Sequence, residues 1–347
     1  MDLQKLDQIL AERGEPRFRA RQVWAWAARG VSGYEQMTDL PAALREQLQQ
    51  DLPFSSLALA EEATSSDGTV KALFKTGDSR PLEAVLMRFR DGRRSICVSS
   101  QSGCPLTCSF CATGAMRFAR NLTASEILDQ ALHFRRTEAI DHCVFMGMGE
   151  PMLNLDAVFA ACERLPDLGV THRRTTISTV GWIPGIERLA ESKMPVRLAL
   201  SLHAADETLR SQLMPVNERY PLADVLEACR AFYARKRRRV FIEYVMLAGV
   251  NDRYEQALQL ARALTANAPG GHGGRAQPIF KVNLIPYNPS DADGDANGQP
   301  RYEGSSRESI AAFRAALESQ GMPVTVRLTR GRDIAAACGQ LAARAAA

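Results

Sequence analysis

The chain has 347 residues, 46% of them hydrophobic and 24% charged, which suffices for one large core or for two domains. No apolar run approaches the ~18 residues of a membrane helix, and the opening MDLQKLDQILAERGEPRFR is too polar and acidic for a secretory or transit signal, so a cytoplasmic protein without membrane attachment is expected. The net charge of +4 gives no global attraction to nucleic acid.

Residues 1–50 read as a small helical module. LQKLDQILAE carries an apolar stripe at Leu3, Leu6, Ile9 and Leu10 at helical spacing. RARQVWAWAARG follows with Gly30 as a C-cap, and PAALREQLQQ opens with Pro41 in a first turn. From residue 56 to residue 100 the period changes, through a β-rich extension over 51–92 and into the run that opens the barrel. TVKALFKTG, PLEAVLMRF and RRSICVSSQ are short runs separated by turn residues, which reads as a β-rich extension.

From residue 93 to about 330, strands and helices alternate. Predicted strands are RRSICVS, HCVFMGM, RTTIST, VRLALSL, RVFIEYVML, FKVNLIP and VTVRLT. Helical segments separate them: ASEILDQALHFRR, LDAVFAACERL, PGIERLAES, LADVLEACRAFYARK, YEQALQLARALTA and SRESIAAFRAALESQ. Six β–α units in succession imply an α/β fold with a parallel sheet. Polar signatures recur at the C-terminal ends of the strands, which favours a partial, TIM-like (β/α)6 barrel over a flat sheet. Residues 331–347 form a C-terminal segment. The stretches NAPGGHGGRAQ (267–277) and NPSDADGDANGQP (288–300) read as turn-rich or partly disordered loops. Basic residues gather at 17–21, 88–94 and 235–239. Such patches suit phosphate binding, but solvated helix ends and loops explain any one of them equally well.

Eight cysteines are present; in a long cytosolic chain, metal binding, redox chemistry or plain burial are more plausible than structural disulfides. Three of them, Cys104, Cys108 and Cys111, lie within SGCPLTCSFCATG. A closed zinc site wants four ligands, and His133 and His142 are poorly spaced to supply the fourth. Three thiolates can instead hold three irons of a [4Fe–4S] cube and leave the fourth iron open. The CxxxCxxC spacing after the first strand of a β–α barrel, with Phe110 before the last cysteine, resembles the radical S-adenosylmethionine (radical SAM) superfamily. That resemblance implies a [4Fe–4S] cluster whose open iron chelates S-adenosyl-L-methionine. Cofactor contacts are then expected at strand ends: Gly149 and Glu150 in MGMGEP, Ser178 in ISTVG, Ser201, Leu202 and His203 in LSLHA, and Asn288 in IPYNP. Taken singly, each is also explained by a local cap or turn. Cys143, Cys162 and Cys229 read as buried apolar thiols.

The stretches FRARQVWAWAARG, MTDLPAALRE, CVSSQSGCPLTCSFCATG, VFMGMGEPMLN, STVGWIPGI, LALSLHA, EYVMLAGVND, KVNLIPYNP and VRLTRGRDIAAACGQLA together resemble the RlmN/Cfr family of RNA adenine methyltransferases over nearly the whole chain. The resemblance implies methylation of adenine carbon 2, in 23S rRNA near the peptidyl-transferase centre and in tRNA 3′ of the anticodon. Its other branch acts on carbon 8. It also implies an electron donor such as flavodoxin or ferredoxin, a monomer, and RNA binding by the N-terminal module. Carried over by motif, Cys338 is the methyl-carrying thiol and Cys97 the resolving thiol, the two passing through a disulfide. Glu83 is the proton acceptor, although the stretch between Glu83 and Cys97 is one residue longer than the family pattern. The loops at 268–276 and 289–300 also depart from it. A non-catalytic, zinc-stabilised RNA-binding protein is the alternative of another class.

Overall fold

The computed structural model describes residues 1–266, 278–289 and 301–342; both expected turn-rich loops lie outside these, apart from Asn288 and Pro289. Three helices open the chain: α1 (Leu3–Glu12), α2 (Phe18–Arg29) and α3 (Ala42–Asp51). Asp2 caps α1, its side chain accepting from the Lys5 N–H. Leu6 and Leu10 are buried, as the apolar stripe requires. Gly30 ends α2 with φ +96°, and a Cβ there would lie 2.6 Å from the Arg135 carbonyl oxygen. Only glycine lets this helix end approach the barrel so closely. Pro41 stands just before α3 rather than in its first turn.

Among the described residues a ten-stranded sheet follows. Its first three strands, β1 (Leu57–Thr64), β2 (Val70–Thr76) and β3 (Pro81–Arg88), form an antiparallel meander that joins β4 (Arg94–Cys97), again antiparallel. β1 was not among the expected strands. It is an exposed edge with a register shift between Leu59 and Glu61, so its sequence carries no alternation to read.

Beyond β4 every strand pairing within this sheet is parallel among the described residues. A short hairpin, β5 (Gln101–Ser102) with β6 (Arg120–Asn121), stands apart from this sheet and encloses the cysteine loop and the single turn α4 (Ala112–Ala115). Then come α5 (Ala124–Arg135), β7 (His142–Phe145), α6 (Leu155–Arg164), β8 (Thr175–Thr179), α7 (Ile183–Glu191), β9 (Arg197–Ser201), α8 (Glu207–Leu213) and α9 (Leu222–Lys236). The series closes with β10 (Val240–Met246), α10 (Tyr254–Thr265), β11 (Phe280–Pro286), α11 (Arg307–Ser319) and β12 (Val324–Val326). Spatial order equals chain order, β4-β7-β8-β9-β10-β11-β12. Six β–α units thus wind one way and a three-residue strand adds the far edge, as the sequence predicts. Among the described residues β12 does not pair with β4, so the barrel is open. Its core is continuous with the helical module: Val23, Leu44 and Leu48 belong to the same buried cluster as Ile177, Leu198 and Ile242. No helix among the described residues is long and apolar enough to cross a membrane.

Candidate active site

The C-terminal ends of the parallel strands surround a cavity, as expected for this architecture. On its rim stand Cys104, Cys108 and Cys111, facing Glu150, Ser178, Ser201 and His203. The cysteine loop is tightly folded: the Cys111 N–H donates to the Cys108 carbonyl at 3.2 Å and the Leu106 N–H to Cys104 Sγ at 3.4 Å. Burial pushes the Cys104 thiol up to about 12 and the Cys108 thiol well above its ordinary value. Such groups stay protonated unless a cationic metal centre holds them as thiolates. Among the described residues no three His, Cys, Asp or Glu side chains converge on a position for a single metal ion. A three-thiol rim without a fourth protein ligand fits a cluster, and it does not fit the closed zinc site of the alternative reading.

Glu150 is buried, and burial raises its carboxyl to about 7 although the Val180 and Met152 N–H groups donate to its two oxygens at 2.9 and 3.1 Å. A cation in the cavity would supply the missing counter-charge, which fits the ammonium of S-adenosylmethionine. His203 is neutral: burial first, then Arg210, lowers it to about 3. Its Nδ1 accepts from the Val245 N–H at 3.0 Å, so the ring proton sits on Nε2, and its ring meets Phe110 edge-on at 4.6 Å. Its φ of +59° bends the chain at the end of β9. Gly147 and Gly149 line the cavity, yet neighbouring protein already accounts for their missing side chains. A Cβ would lie 2.7 Å from the Val98 carbonyl oxygen at Gly147 and 2.5 Å from Gln101 Cβ at Gly149. Leu202 is core, its N–H donating to the Glu243 carbonyl at 3.0 Å.

Asn288 lines a smaller neighbouring cavity, which also holds Cys97 and Cys338. The two cavities share Met146, Ile285, Arg327 and Cys338. Cys97 ends β4, buried, its thiol pushed up to about 12 by burial and then by Cys338. Cys338 is exposed, on a tail strapped across the cysteine loop. The Ala112 N–H donates to the Gly339 carbonyl at 2.8 Å and Thr113 Oγ1 to the Leu341 carbonyl at 2.6 Å. None of the eight cysteines is in a disulfide; the expected bond between Cys97 and Cys338 is therefore no feature of this structure.

Glu83 lines neither cavity. It is buried under the tail, 3.0 Å from Lys71 Nζ, and accepts from the Ala342 N–H at 3.0 Å. Val85 pairs directly with Cys97 across the β3–β4 ladder. Glu83, two residues away from Val85, therefore projects from the same face of the sheet as Cys97. β3 and β4 are joined by the Phe89–Arg93 turn, closed by the Phe89 N–H on the Arg93 carbonyl.

Sequence reading missed the barrel-interior network. Asn283 donates to Glu243 at 2.9 Å, and Arg327 reaches the other Glu243 oxygen at 3.4 Å. Arg327 is raised above its usual value, first by Cys338. A lone charge inside each of two apolar strand patterns, RVFIEYVML and VTVRLT, was the available signal. His133 pairs with Glu62 and His142 with Asp141, so neither approaches the thiols as a ligand.

An open parallel α/β barrel with a three-cysteine loop at the C-terminal edge of its first strand defines a radical SAM enzyme. Residues 98–261 match the model of the radical SAM superfamily, and residues 1–52 match that of the ribosomal RNA large subunit methyltransferase N-terminal domain. A protein of Chloroflexus aurantiacus, named as a probable dual-specificity RNA methyltransferase RlmN, is 45% identical across 99% of this chain and 92% of its own. The dual-specificity RNA methyltransferase RlmN of an Anaeromyxobacter species is 41% identical across 99% and 89%. The crystal structure of a radical SAM methyltransferase from Sphaerobacter thermophilus superposes with a TM-score of 0.88 at 41% identity, covering 99% of this chain and 98% of that one. The chain belongs to the RlmN family of radical SAM RNA methyltransferases.

Proposed function

We propose that the enzyme methylates carbon 2 of adenine in two folded RNAs, 23S rRNA near the peptidyl-transferase centre and tRNA 3′ of the anticodon, with Cys338 as methyl carrier. The observation that carries this is the meeting of Cys97 and Cys338, from distant parts of the chain, in a cavity that opens onto the three-cysteine rim. Adenine carbon 2 is electron-poor and lacks a lone pair, so direct displacement on a sulfonium methyl group fails there, whereas a sulfur nucleophile accepts that methyl readily.

Cys104, Cys108 and Cys111 would hold a [4Fe–4S] cluster, with Glu150, Ser178, Ser201 and His203 around S-adenosylmethionine. Bound together, these groups supply the methyl group and a carbon-centred radical. Cys338 Sγ takes up the methyl group and presents it as a thioether beside the cavity. Once its carbon is joined to the base, Cys97 attacks Cys338 Sγ. The carbon–sulfur bond breaks, the released carbon takes up the proton given up by the Cys97 thiol and becomes the methyl group, the methylated RNA leaves, and the two sulfurs are left joined in a disulfide, to be reset by a thiol reductant. Glu83 takes the ring proton, and its contact with Ala342 has to open for the base to reach it. The base must be unstacked to enter. A flavodoxin or ferredoxin type of donor would deliver the electron.

The test is anaerobic reconstitution with each RNA, followed by mass spectrometry of the digested nucleosides. The reading expects 2-methyladenosine; 8-methyladenosine would assign the other branch. Cys97→Ala should accumulate a covalent protein–RNA adduct through Cys338, and Cys338→Ala should form none. Normal turnover by Cys97→Ala would remove its assigned role.

A further inference from the structure

The basic run Arg235–Arg239 precedes β10, and this decides which face of the barrel it occupies. Parallel strands put all their C-terminal ends on one face, where the cavities are. The run therefore lies on the other face, with Arg173 before β8 and Arg197 at the start of β9. There Arg173, Arg197, Lys236, Arg237, Arg238 and Arg239 line a groove floored by Phe241 and Pro195, with no carboxylate among the described residues of the lining.

The groove is built rather than a loose scatter of surface charge. Lys236 donates to the Ser192 and Met194 carbonyls, and Arg238 Nη1 to the Pro195 carbonyl at 2.5 Å. These bonds pin the α9–β10 connection to the α7–β9 connection. Arg197 lies over the Phe241 ring, 6.0 Å from its centroid. The cations also strain against one another. Arg197 is lowered by burial and then by Arg174 and Arg93; Arg238 is lowered by burial and then by Arg197 and Arg173. Like charges held this close repel until an anion separates them.

From Arg239 to Val245, which lines the active-site cavity, six residues of strand span about 20 Å. A ligand touching both faces must be large, folded and anionic. We infer that this groove is a second RNA site, which grips the phosphate backbone of a folded substrate on the barrel face opposite the reacting base. The inference rests on the RNA-methyltransferase reading and adds a grip that small RNA fragments do not reach.

The experiment compares an intact tRNA transcript with its isolated anticodon stem-loop, using the full-length, cluster-loaded enzyme. The variant Arg173→Gln/Arg197→Gln/Arg237→Gln leaves the two pinning residues in place. Each phosphate that the variant no longer neutralises should flatten the plot of log affinity against log salt by about 0.7–0.9. Between 50 and 200 mM salt, wild type should then lose roughly 40-fold more affinity for tRNA than the variant does, if three duplex phosphates are released. Stem-loop binding and methylation should not change. The exposed single change Arg173→Glu, which carries little folding risk, should reduce the tRNA slope by about one. Identical slopes for wild type and both variants overturn the proposal, as they would if an acidic protein, rather than RNA, occupied the groove. A wild type that binds tRNA with the steep slope yet methylates neither RNA would instead count against the functional reading and leave the groove standing.

Discussion

His203 shows how far one residue's chemistry follows from its surroundings. It ends a buried strand in a left-handed conformation, accepts a backbone N–H through Nδ1 and packs against the aromatic ring of the cysteine loop. Burial holds it neutral down to about pH 3, whereas in the unfolded chain it protonates near 6.5. Between those values the unfolded chain binds the extra proton. Stability from this group is complete above 6.5 and falls as pH drops toward 3. Asparagine tolerates the same backbone conformation and does not titrate. On moving from pH 7 to pH 5, wild type should therefore lose about 2 kcal/mol of stability relative to His203→Asn, measured by urea unfolding at both values. Glu150, raised to about 7, contributes the opposite slope, but equally to both proteins. A difference independent of pH would mean that His203 is not neutral in the folded enzyme.

Among the elements, the single turn α4 controls the cysteine loop. At Gly114 a Cβ would lie 2.8 Å from the Cys108 carbonyl oxygen and 3.1 Å from its nitrogen. Backbone cannot yield there without moving the thiol, so Gly114→Ala should bind substantially less iron after anaerobic reconstitution while the rest of the fold persists by circular dichroism. Full iron loading would show that the loop has slack. The same scale explains what could be read from the chain. Most β–α units announced themselves because burial on both faces imposes largely apolar strands and the covering helices impose a 3.6-residue stripe; β8, TTIST, is the polar exception. β1 did not, because an exposed edge imposes neither. Cys104, Cys108 and Cys111 were legible because neighbours in sequence share one loop. The Asn283–Glu243–Arg327 network was not, because it joins β10, β11 and the residue just after β12 through a register that exists only after folding. The basic run at 235–239 was visible as charge, but its face was fixed only once the direction of β10 was known.

For the molecule as a whole, the C-terminal tail is the element that joins the meander, the barrel and the cysteine loop. The Asp333 carboxylate accepts from Ser65 Oγ at 2.5 Å and the Ser66 N–H at 3.0 Å, while the Gly331 N–H donates to Asp67 at 3.1 Å. Further on, Gln340 Nε2 reaches the Pro289 carbonyl at 2.7 Å, and Gly339 and Leu341 meet the cysteine loop. Cys338 therefore sits between two anchors, one on the meander and one at the barrel mouth. Ser65 and its neighbours hold the Asp333 carboxyl down near 2, so it stays ionised and the first anchor persists at every pH where the enzyme is assayed. Asp333→Ala removes the Ser65 and Ser66 bonds and weakens that anchor to the Gly331–Asp67 contact, without touching the thiols or the active-site lining. Trypsin should then cut faster at Arg330 and Arg332, and S-methylation of Cys338, followed by intact-protein mass, should slow while iron content stays unchanged. Should methylation continue at the wild-type rate despite faster cleavage, the barrel-mouth contacts alone would position Cys338 for its proposed role.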